Sequence, residues 1–229
     1  MKEILETAEE GFDAAAGRLG LHEVDGKLYV QEANGSGEFK PRTVLIVTWH
    51  VLHALQYLHS QGVVHRDLKE DNVCIKYRPS DRLALILLID YGHSEDISKA
   101  REVKEEDRTL GSFCYCSPHM QEGKQSTKGC DLRMAIYAMM LGRGVNMMED
   151  ANGESSLKRR QEMERKPEKY IKEADIWLRN VAKFVYTTQG NSPPKYDDIY
   201  NVLKNAEDGF TPEKAKLVMS DNNGVECIV

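Results

Sequence analysis

The sequence has no long hydrophobic run and no apolar leader. Uninterrupted apolar stretches such as residues 83–89 hold only seven or eight of the 229 residues, whereas a membrane-spanning helix needs about 20. Lys2, Glu3 and Glu6 stand where a secretory signal would have its apolar segment. We therefore expect an intracellular protein, nuclear or cytoplasmic, that has no membrane partner.

Cysteine is scarce as well. The chain has five cysteines, an odd number, and none of them forms a Cys-x-x-Cys pair. This pattern indicates neither a disulfide framework nor a zinc site. Reduced thiols in an intracellular protein are the simplest interpretation.

An excess of basic residues is also missing. Lys plus Arg total 31 and Asp plus Glu total 37, which gives a formal net charge of −6. Because nucleic-acid-binding domains usually carry an excess of positive charge, no nucleic-acid partner is expected. Hydrophobic residues make up 41% of the chain, which is enough to bury a core and excludes a wholly disordered protein.

A helix is predicted to begin at Pro41. Gly62 suits a left-handed stop at its end. Between the two, apolar residues recur at helical spacing: Val44, Val47, Val51, Leu55 and Leu58.

Two short strands follow this helix. Residues 73–75 and 85–89 are predicted to pair as a hairpin around a turn at 79–81. Residues 91–128 are polar and lack periodicity, so they are predicted to form a long functional loop.

Further helices are predicted in the second half of the chain. Residues 131–141 are apolar nearly all round, which is typical of a helix buried on all sides. Residues 174–185 are amphipathic, and a last helix is predicted after a cap at Ser192-Pro193. The basic cluster at 158–160 lies among acidic residues and is either a solvated helix face or a nuclear address.

The segment between the first helix and the hairpin carries the most specific signal. Residues 65–72 read His-Arg-Asp-Leu-Lys-Glu-Asp-Asn, and residues 90–92 read Asp-Tyr-Gly directly after the second strand. Together they resemble the protein-kinase catalytic loop, His-Arg-Asp-x-Lys-x-x-Asn, and a tyrosine-bearing form of the Asp-Phe-Gly metal motif. On these residues the chain resembles the protein kinases.

The resemblance implies a role for each residue of the motif. Asp67 would accept the proton of a substrate hydroxyl, and Lys69 would offset the charge of the phosphoryl group transferred from ATP. Lys69 is also the serine/threonine-kinase form of the motif. Asn72 and Asp90 supply hard oxygen ligands suited to Mg²⁺. The implied cofactors are ATP and Mg²⁺, and the implied partner is a protein substrate or a partner kinase.

Three further residues are expected to support the loop. Asp131, at the start of the buried helix, would be a costly buried charge unless it held backbone donors. The resemblance implies that Asp131 accepts hydrogen bonds from the catalytic-loop backbone around His65. Arg66 is expected to position the loop rather than to contact substrate.

The resemblance narrows to the casein kinase one superfamily, and within it to the vaccinia-related kinase branch. As in that superfamily, no Ala-Pro-Glu sequence closes the activation segment. The chain departs from the branch at Arg66, where Gly is usual, and at Lys128-Gly129, where the branch has two arginines. The segments that carry the resemblance are 39–45, 55–60, 90–92, 111–117 and 196–203.

The resemblance implies an α+β, protein-kinase-like fold. Residues 41–208 would form the large lobe, mainly helical with a β-hairpin, and residues 209–229 a C-terminal tail. Residues 1–40 would be a remnant of the small lobe and hinge, because five strands and a helix need roughly 60 residues. Residues 20–30 resemble a hairpin late in the small lobe. Neither a Gly-x-Gly-x-x-Gly-x-Val sequence nor a Val-Ala-Ile-Lys strand occurs in the 229 residues.

These features leave three hypotheses open. The first is a serine/threonine protein kinase that completes its small lobe unconventionally or through a partner. The second is a weakly active or inactive kinase-like scaffold that binds a partner kinase or its substrate. The third is a splice form or an incomplete gene product.

Overall fold

The computed structural model describes residues 21–24, 27–30, 39–78, 83–99, 115–145, 153–187, 194–207, 210–211, 217–222 and 225–228. Their helices are α1 (Pro41–Ser60), α2 (Pro118–Gln121), α3 (Lys128–Gly142), α4 (Gly153–Arg165), α5 (Ile176–Thr187) and α6 (Tyr196–Lys204). Their strands are β1 (Leu21–Val24), β2 (Lys27–Val30), β3 (Val63–Val64), β4 (Val73–Arg78), β5 (Leu83–Leu88), β6 (Glu95–Asp96), β7 (Leu217–Asn222) and β8 (Val225–Ile228). None of these helices is long and apolar enough to cross a membrane.

Helix α1 begins and ends where the sequence predicts. Pro41 occupies its first turn, where a missing N–H costs nothing because that group would have no helical partner. Gln61 follows the last helical residue, and Gly62 then adopts a φ of 75°. A residue with a Cβ is strained in this left-handed conformation, so glycine suits the stop.

Helix α3 lies at the centre of the hydrophobic core. It begins three residues before the predicted start at Asp131, and its residues are buried on nearly all sides. Helices α1 and α5 pack against it, and α6 packs against both α1 and α5. Burying side chains such as Leu132 and Ile136, which have no exposed surface, contributes about 1.5–3 kcal/mol each.

The strands form three small antiparallel sheets. The predicted hairpin is confirmed as β4 and β5, which pair from Val73 with Leu88 to Arg78 with Leu83; its turn lies outside the described residues. The hairpin at 20–30 is confirmed as β1 and β2. Strand β3 pairs with β6 just before the catalytic loop. The tail at 209–229 contributes two strands that the sequence analysis does not predict, and they extend the β4–β5 sheet in the order β4-β5-β7-β8.

The predicted loop at 91–128 is wrong in part. Its described residues include a strand of two residues, β6, and a helix of four, α2. Elements this short span about one turn or one pleat, so no periodicity reveals them.

Two smaller expectations also need correction or fall outside the described part. The solvated helix face at 158–160 is confirmed for Lys158, but Arg160 is only 2% exposed. Arg160 lies close enough to Tyr137 and Cys116 to lower the pKa of both groups, although burial raises those pKa values more strongly. The last helix begins at Tyr196, and the predicted cap at 192–193 lies outside the described residues.

The described cysteines are free thiols, as the sequence predicts. They are Cys74, Cys116 and Cys130. Burial raises the pKa of each, to about 12 for Cys116. These thiols are therefore protonated at neutral pH.

The side chain of Asp131 joins α3 to the catalytic loop. Asp131 is fully buried. Its Oδ2 accepts a hydrogen bond from the backbone N–H of His65 at 2.7 Å, and its Oδ1 accepts one from the N–H of Arg66 at 2.9 Å. The carboxylate thus satisfies two backbone donors that no helix or strand pairs, which removes the cost of burying them.

His59 extends this connection to α1 and α6. Its Nε2 lies 2.9 Å from Asp131 Oδ2, and since a carboxylate can only accept, Nε2 carries the proton. Its Nδ1 lies 2.6 Å from the hydroxyl of Tyr196 at the start of α6. Burial, with the Asp131 charge nearby, raises the pKa of Tyr196, so the hydroxyl is neutral and able to donate. Three helices and the catalytic loop therefore meet at one carboxylate.

Replacing Asp131 should destabilise the whole fold. Asp131→Ala leaves three buried donors without an acceptor, and we expect the free energy of unfolding to fall by about 3–5 kcal/mol. Asp131→Asn keeps one acceptor oxygen and should cost less. Urea denaturation followed by circular dichroism measures both changes.

Asp198→Ala is the matched control, because Asp198 is an exposed carboxylate in the first turn of α6. Its effect should be much smaller. Equal midpoints for Asp131→Ala and the control would contradict the placement of Asp131 in the core.

Candidate active site

The catalytic loop follows directly from strand β3. His65, Arg66 and Asp67 are all buried, and the loop ends in a short 3₁₀ turn, Glu70–Asn72. Arg66 has a φ of 73°, a left-handed conformation that costs a residue with a Cβ about 1–3 kcal/mol. The hydrogen bond from the Arg66 N–H to Asp131 holds this conformation.

Asp67 is held from one side and unpaired on the other. Its Oδ2 accepts hydrogen bonds from Lys69 Nζ at 3.0 Å and from Asn72 Nδ2 at 3.1 Å. Its Oδ1 is buried and has no hydrogen-bond partner among the described residues. A buried carboxylate oxygen without a donor is costly. This oxygen is therefore suited to accept a hydrogen bond from a bound hydroxyl group.

Asn72 is oriented by the same aspartate. Its Nδ2 also donates to the Asp67 carbonyl at 2.6 Å, which leaves the amide oxygen to coordinate a cation. The Asn72 carbonyl accepts the N–H of Ile89 at 3.0 Å. This bond ties the end of the catalytic loop to the residue immediately before Asp90.

Asp90 lies at the start of the 3₁₀ turn Tyr91–His93. Its backbone is left-handed, with a φ of 60°, and its Oδ1 accepts the N–H of Gly92 at 3.3 Å. The side chain is exposed. The structure thus brings Asp90 to the end of β5, beside the catalytic loop.

The oxygens of Asn72 and Asp90 fit Mg²⁺ by their chemistry. Mg²⁺ prefers hard oxygen ligands and is usually held by one or two protein groups together with phosphates and water. Within the described ranges no three His, Cys, Asp or Glu side chains cluster so as to hold a metal by themselves. An amide and a carboxylate alone would leave most coordination positions of such an ion to other oxygen ligands.

The His65 ring connects the loop to the Asp-Tyr-Gly segment. Its Nε2 lies 2.9 Å from the carbonyl of Ile89, and its Nδ1 lies 3.3 Å from the N–H of Asp67. Donation by Nε2 and acceptance by Nδ1 satisfy both bonds in one neutral tautomer. The ring also packs against Tyr91, with 5.0 Å between ring centroids. His65 therefore supports the positions of both Asp67 and Asp90.

A surface cavity of about 330 Å³ lies elsewhere, between α5 and α6. None of the predicted site residues lines it. The lining includes Trp177, Asn180, Asn201 and Asn205.

Three residues that support the site were not predicted from the sequence: His59, Tyr196 and Glu95. His59 had a usable signal, because it falls four residues after Leu55 on the apolar stripe of α1, and a polar side chain there needs a buried partner. Tyr196 falls within the predicted last helix, and no sequence signal indicates a partner for its hydroxyl. Glu95 stands in a polar stretch without periodicity and had no signal.

Known proteins resemble this chain in sequence and in fold. A family model described as "Protein kinase domain" matches residues 19–205. The serine/threonine-protein kinase ppk16 of Schizosaccharomyces pombe is 33% identical over 106 residues, covering 44% of this chain and 15% of that kinase. The meiosis-specific serine/threonine-protein kinase mek1 of the same organism is 27% identical over 157 residues, covering 69% of this chain and 27% of that kinase. The chain therefore spans only a minor part of these relatives' lengths.

The fold is similar to a solved structure of vaccinia related kinase 3. The TM-score is 0.62 at 22% sequence identity, and the match covers 73% of this chain and 55% of that one. The resemblance predicted from the motifs is thus confirmed at the level of fold. With the family model spanning most of its length, the chain belongs to the protein kinase domain family.

Proposed function

We propose that this chain takes part in ATP-dependent phosphoryl transfer to serine or threonine of a protein substrate, with Asp67 as the proton acceptor. The proposal rests on how the two oxygens of the Asp67 carboxylate are hydrogen-bonded and buried. Lys69 and Asn72 fix Oδ2, while Oδ1 is buried and unpaired among the described residues. A general base needs such a held carboxylate within hydrogen-bond reach of the hydroxyl.

The other residues of the site compensate negative charge or hold the reacting groups in position. Lys69 is 24% exposed, so its ammonium group lies at the surface of the site, where it offsets the charge of a transferring phosphoryl group. Asn72 and Asp90 would hold Mg²⁺, which, when bound, would neutralise part of the negative charge of the phosphates of ATP. His65 and Asp131 hold these groups in position through their hydrogen bonds to the backbone.

The acceptor class rests on Lys69 and on the relatives. Lys69 stands two residues after Asp67, as in the serine/threonine form of the motif, and the curated relatives described above are named serine/threonine-protein kinases. We infer a protein hydroxyl as the acceptor on these two grounds.

A second candidate function is a kinase-like scaffold that binds a partner kinase or its substrate. The absence of a glycine-rich loop motif and of a Val-Ala-Ile-Lys lysine from the 229 residues favours it. Phosphoryl transfer depends almost wholly on positioning and electrostatic stabilisation of the phosphates. A polypeptide of these 229 residues should therefore transfer phosphate slowly at best without a partner.

Binding of ATP with Mg²⁺ should raise the melting temperature of the chain. At about ten times Kd, mass action adds ~1.4 kcal/mol, which corresponds to a rise of roughly 3–6 °C for a domain of this size. Asp90→Asn should abolish the rise, because it removes a charged metal ligand. Asp96→Asn, which removes a carboxylate six residues further on whose side chain is 42% exposed, should keep the rise. No rise at millimolar nucleotide would contradict the proposed nucleotide site.

Phosphoryl transfer should depend on Asp67. If the chain transfers labelled γ-phosphate to a Ser/Thr acceptor protein, Asp67→Asn should lower the rate by about 10²–10⁴-fold. Asp71→Asn, an exposed neighbour in the same loop, is the control and should retain the parent rate.

A fusion decides between enzyme and scaffold. A small lobe from a vaccinia-related kinase placed ahead of residue 20 should raise incorporation in the parent and not in Asp67→Asn. A fused parent that remains as inactive as its Asp67 variant, with Mg²⁺ or with Mn²⁺, would favour the scaffold and contradict the enzyme.

A further inference from the structure

Glu95 forms a buried ion pair with the catalytic loop. In strand β6 it lies opposite Val64, the residue before His65. Its Oε2 is 3.0 Å from Nη1 of Arg66, and the two side chains are only 9% and 7% exposed. Both charges are therefore largely removed from water.

The same cluster reaches the segment that precedes helix α3. Arg66 Nε donates to Ser126 Oγ at 3.2 Å, and Gln125 Nε2 donates to Glu95 Oε1 at 3.5 Å. Arg66 thus contacts two residues, Glu95 and Ser126, that are 31 positions apart in sequence. One lies in the strand that follows Asp90-Tyr91-Gly92, and the other lies in the stretch that enters α3. We call residues 95–126 the activation segment.

The position of Arg66 makes this cluster relevant to Asp67. Arg66 immediately precedes Asp67, and its backbone N–H is held by Asp131. A guanidinium group is always charged in proteins, and a buried one requires a counterion. Removing one partner of such a pair leaves an uncompensated buried charge, which loosens whatever the pair connects.

Phosphate groups supply that counterion in switchable kinases. Their activation loops become ordered when a phosphorylated side chain pairs with arginine. Here the arginine of the catalytic loop already has a carboxylate partner, and that partner belongs to a strand hydrogen-bonded to β3.

We propose that Glu95 is a positioning residue that takes the place of an activating phosphate. Its carboxylate holds Arg66 and both ends of the activation segment against the catalytic loop, so their order requires no phosphorylation of the chain. Its regulatory meaning rests on the proposed kinase function, whereas the positioning itself does not.

Hydrogen–deuterium exchange tests the positioning without nucleotide or acceptor protein. In Glu95→Gln, the amides of residues 64–67 and 125–127 should exchange about tenfold or more faster than in the parent. Glu173→Gln is the matched control, because Glu173 is an exposed carboxylate that also pairs with an arginine, Arg179, at 3.5 Å. The control should leave those amides unchanged.

Glu95→Asp keeps the charge and should restore protection to within about threefold of the parent. If Glu95→Gln does not fold, Glu95→Asp takes its place as the test variant. The small increase in exchange that remains in Glu95→Asp should then be confined to the two segments, and a uniform increase along the chain would overturn the proposal. Equal exchange in Glu95→Gln and Glu173→Gln would also overturn it.

Phosphatase treatment of the parent tests whether a phosphate group, rather than the Glu95 carboxylate, orders the two segments. Exchange in both segments should be the same before and after treatment. Faster exchange after treatment would show that phosphate orders the segment and would overturn the proposal. Because no activity is measured, a chain that fails to transfer phosphate leaves this result intact and contradicts only the proposed function.

Discussion

A single buried carboxylate connects the hydrophobic core to the catalytic loop. Asp131 belongs to the most buried helix, and it accepts hydrogen bonds from two catalytic-loop amides and from His59. Ionised groups are rarely buried without such partners, because desolvation costs more than a single bond returns. The loop cannot move away without exposing this charge to an apolar surrounding. The position of Asp67 is thus a consequence of the packing of α3.

This arrangement fixes the candidate site residues relative to one another. The Asp67 carboxylate, the Asn72 amide and the Asp90 segment are joined by hydrogen bonds that involve only residues 65–92. Preorganised groups need no rearrangement when charge develops, which is where electrostatic catalysis gains most. Phosphoryl transfer would also require a loop that covers the phosphates of ATP. The presence or absence of such a loop decides between the enzyme and the scaffold.

Much of the fold could be predicted from the sequence, and the reasons are physical. Helix α1 follows from side-chain periodicity, strands β4 and β5 follow from short apolar runs around a turn, and α3 follows from its lack of a polar face. The candidate site residues follow from a spaced motif, since each proposed role requires a residue type at a set distance. The Glu95–Arg66 pair and the Tyr196–His59 contact could not be predicted, because they join residues 29 and 137 positions apart. Strand β7 could not be predicted either, because its partner β5 is far away in sequence, and β8 joins the sheet only through β7.

Asn72 and Asp90 are proposed to form a metal site together, beside the Asp67 carboxylate. Anomalous X-ray diffraction from crystals of the chain grown with Mn²⁺ and a non-hydrolysable ATP analogue is the sharpest test of this site. The proposed site predicts one Mn²⁺ peak within about 2.0–2.3 Å of both the Asn72 amide oxygen and an Asp90 carboxylate oxygen. It also predicts that Asp67 Oδ1 stays clear of the metal. A nucleotide-bound crystal with Mn²⁺ away from both residues, or coordinated by Asp67 Oδ1, would contradict it.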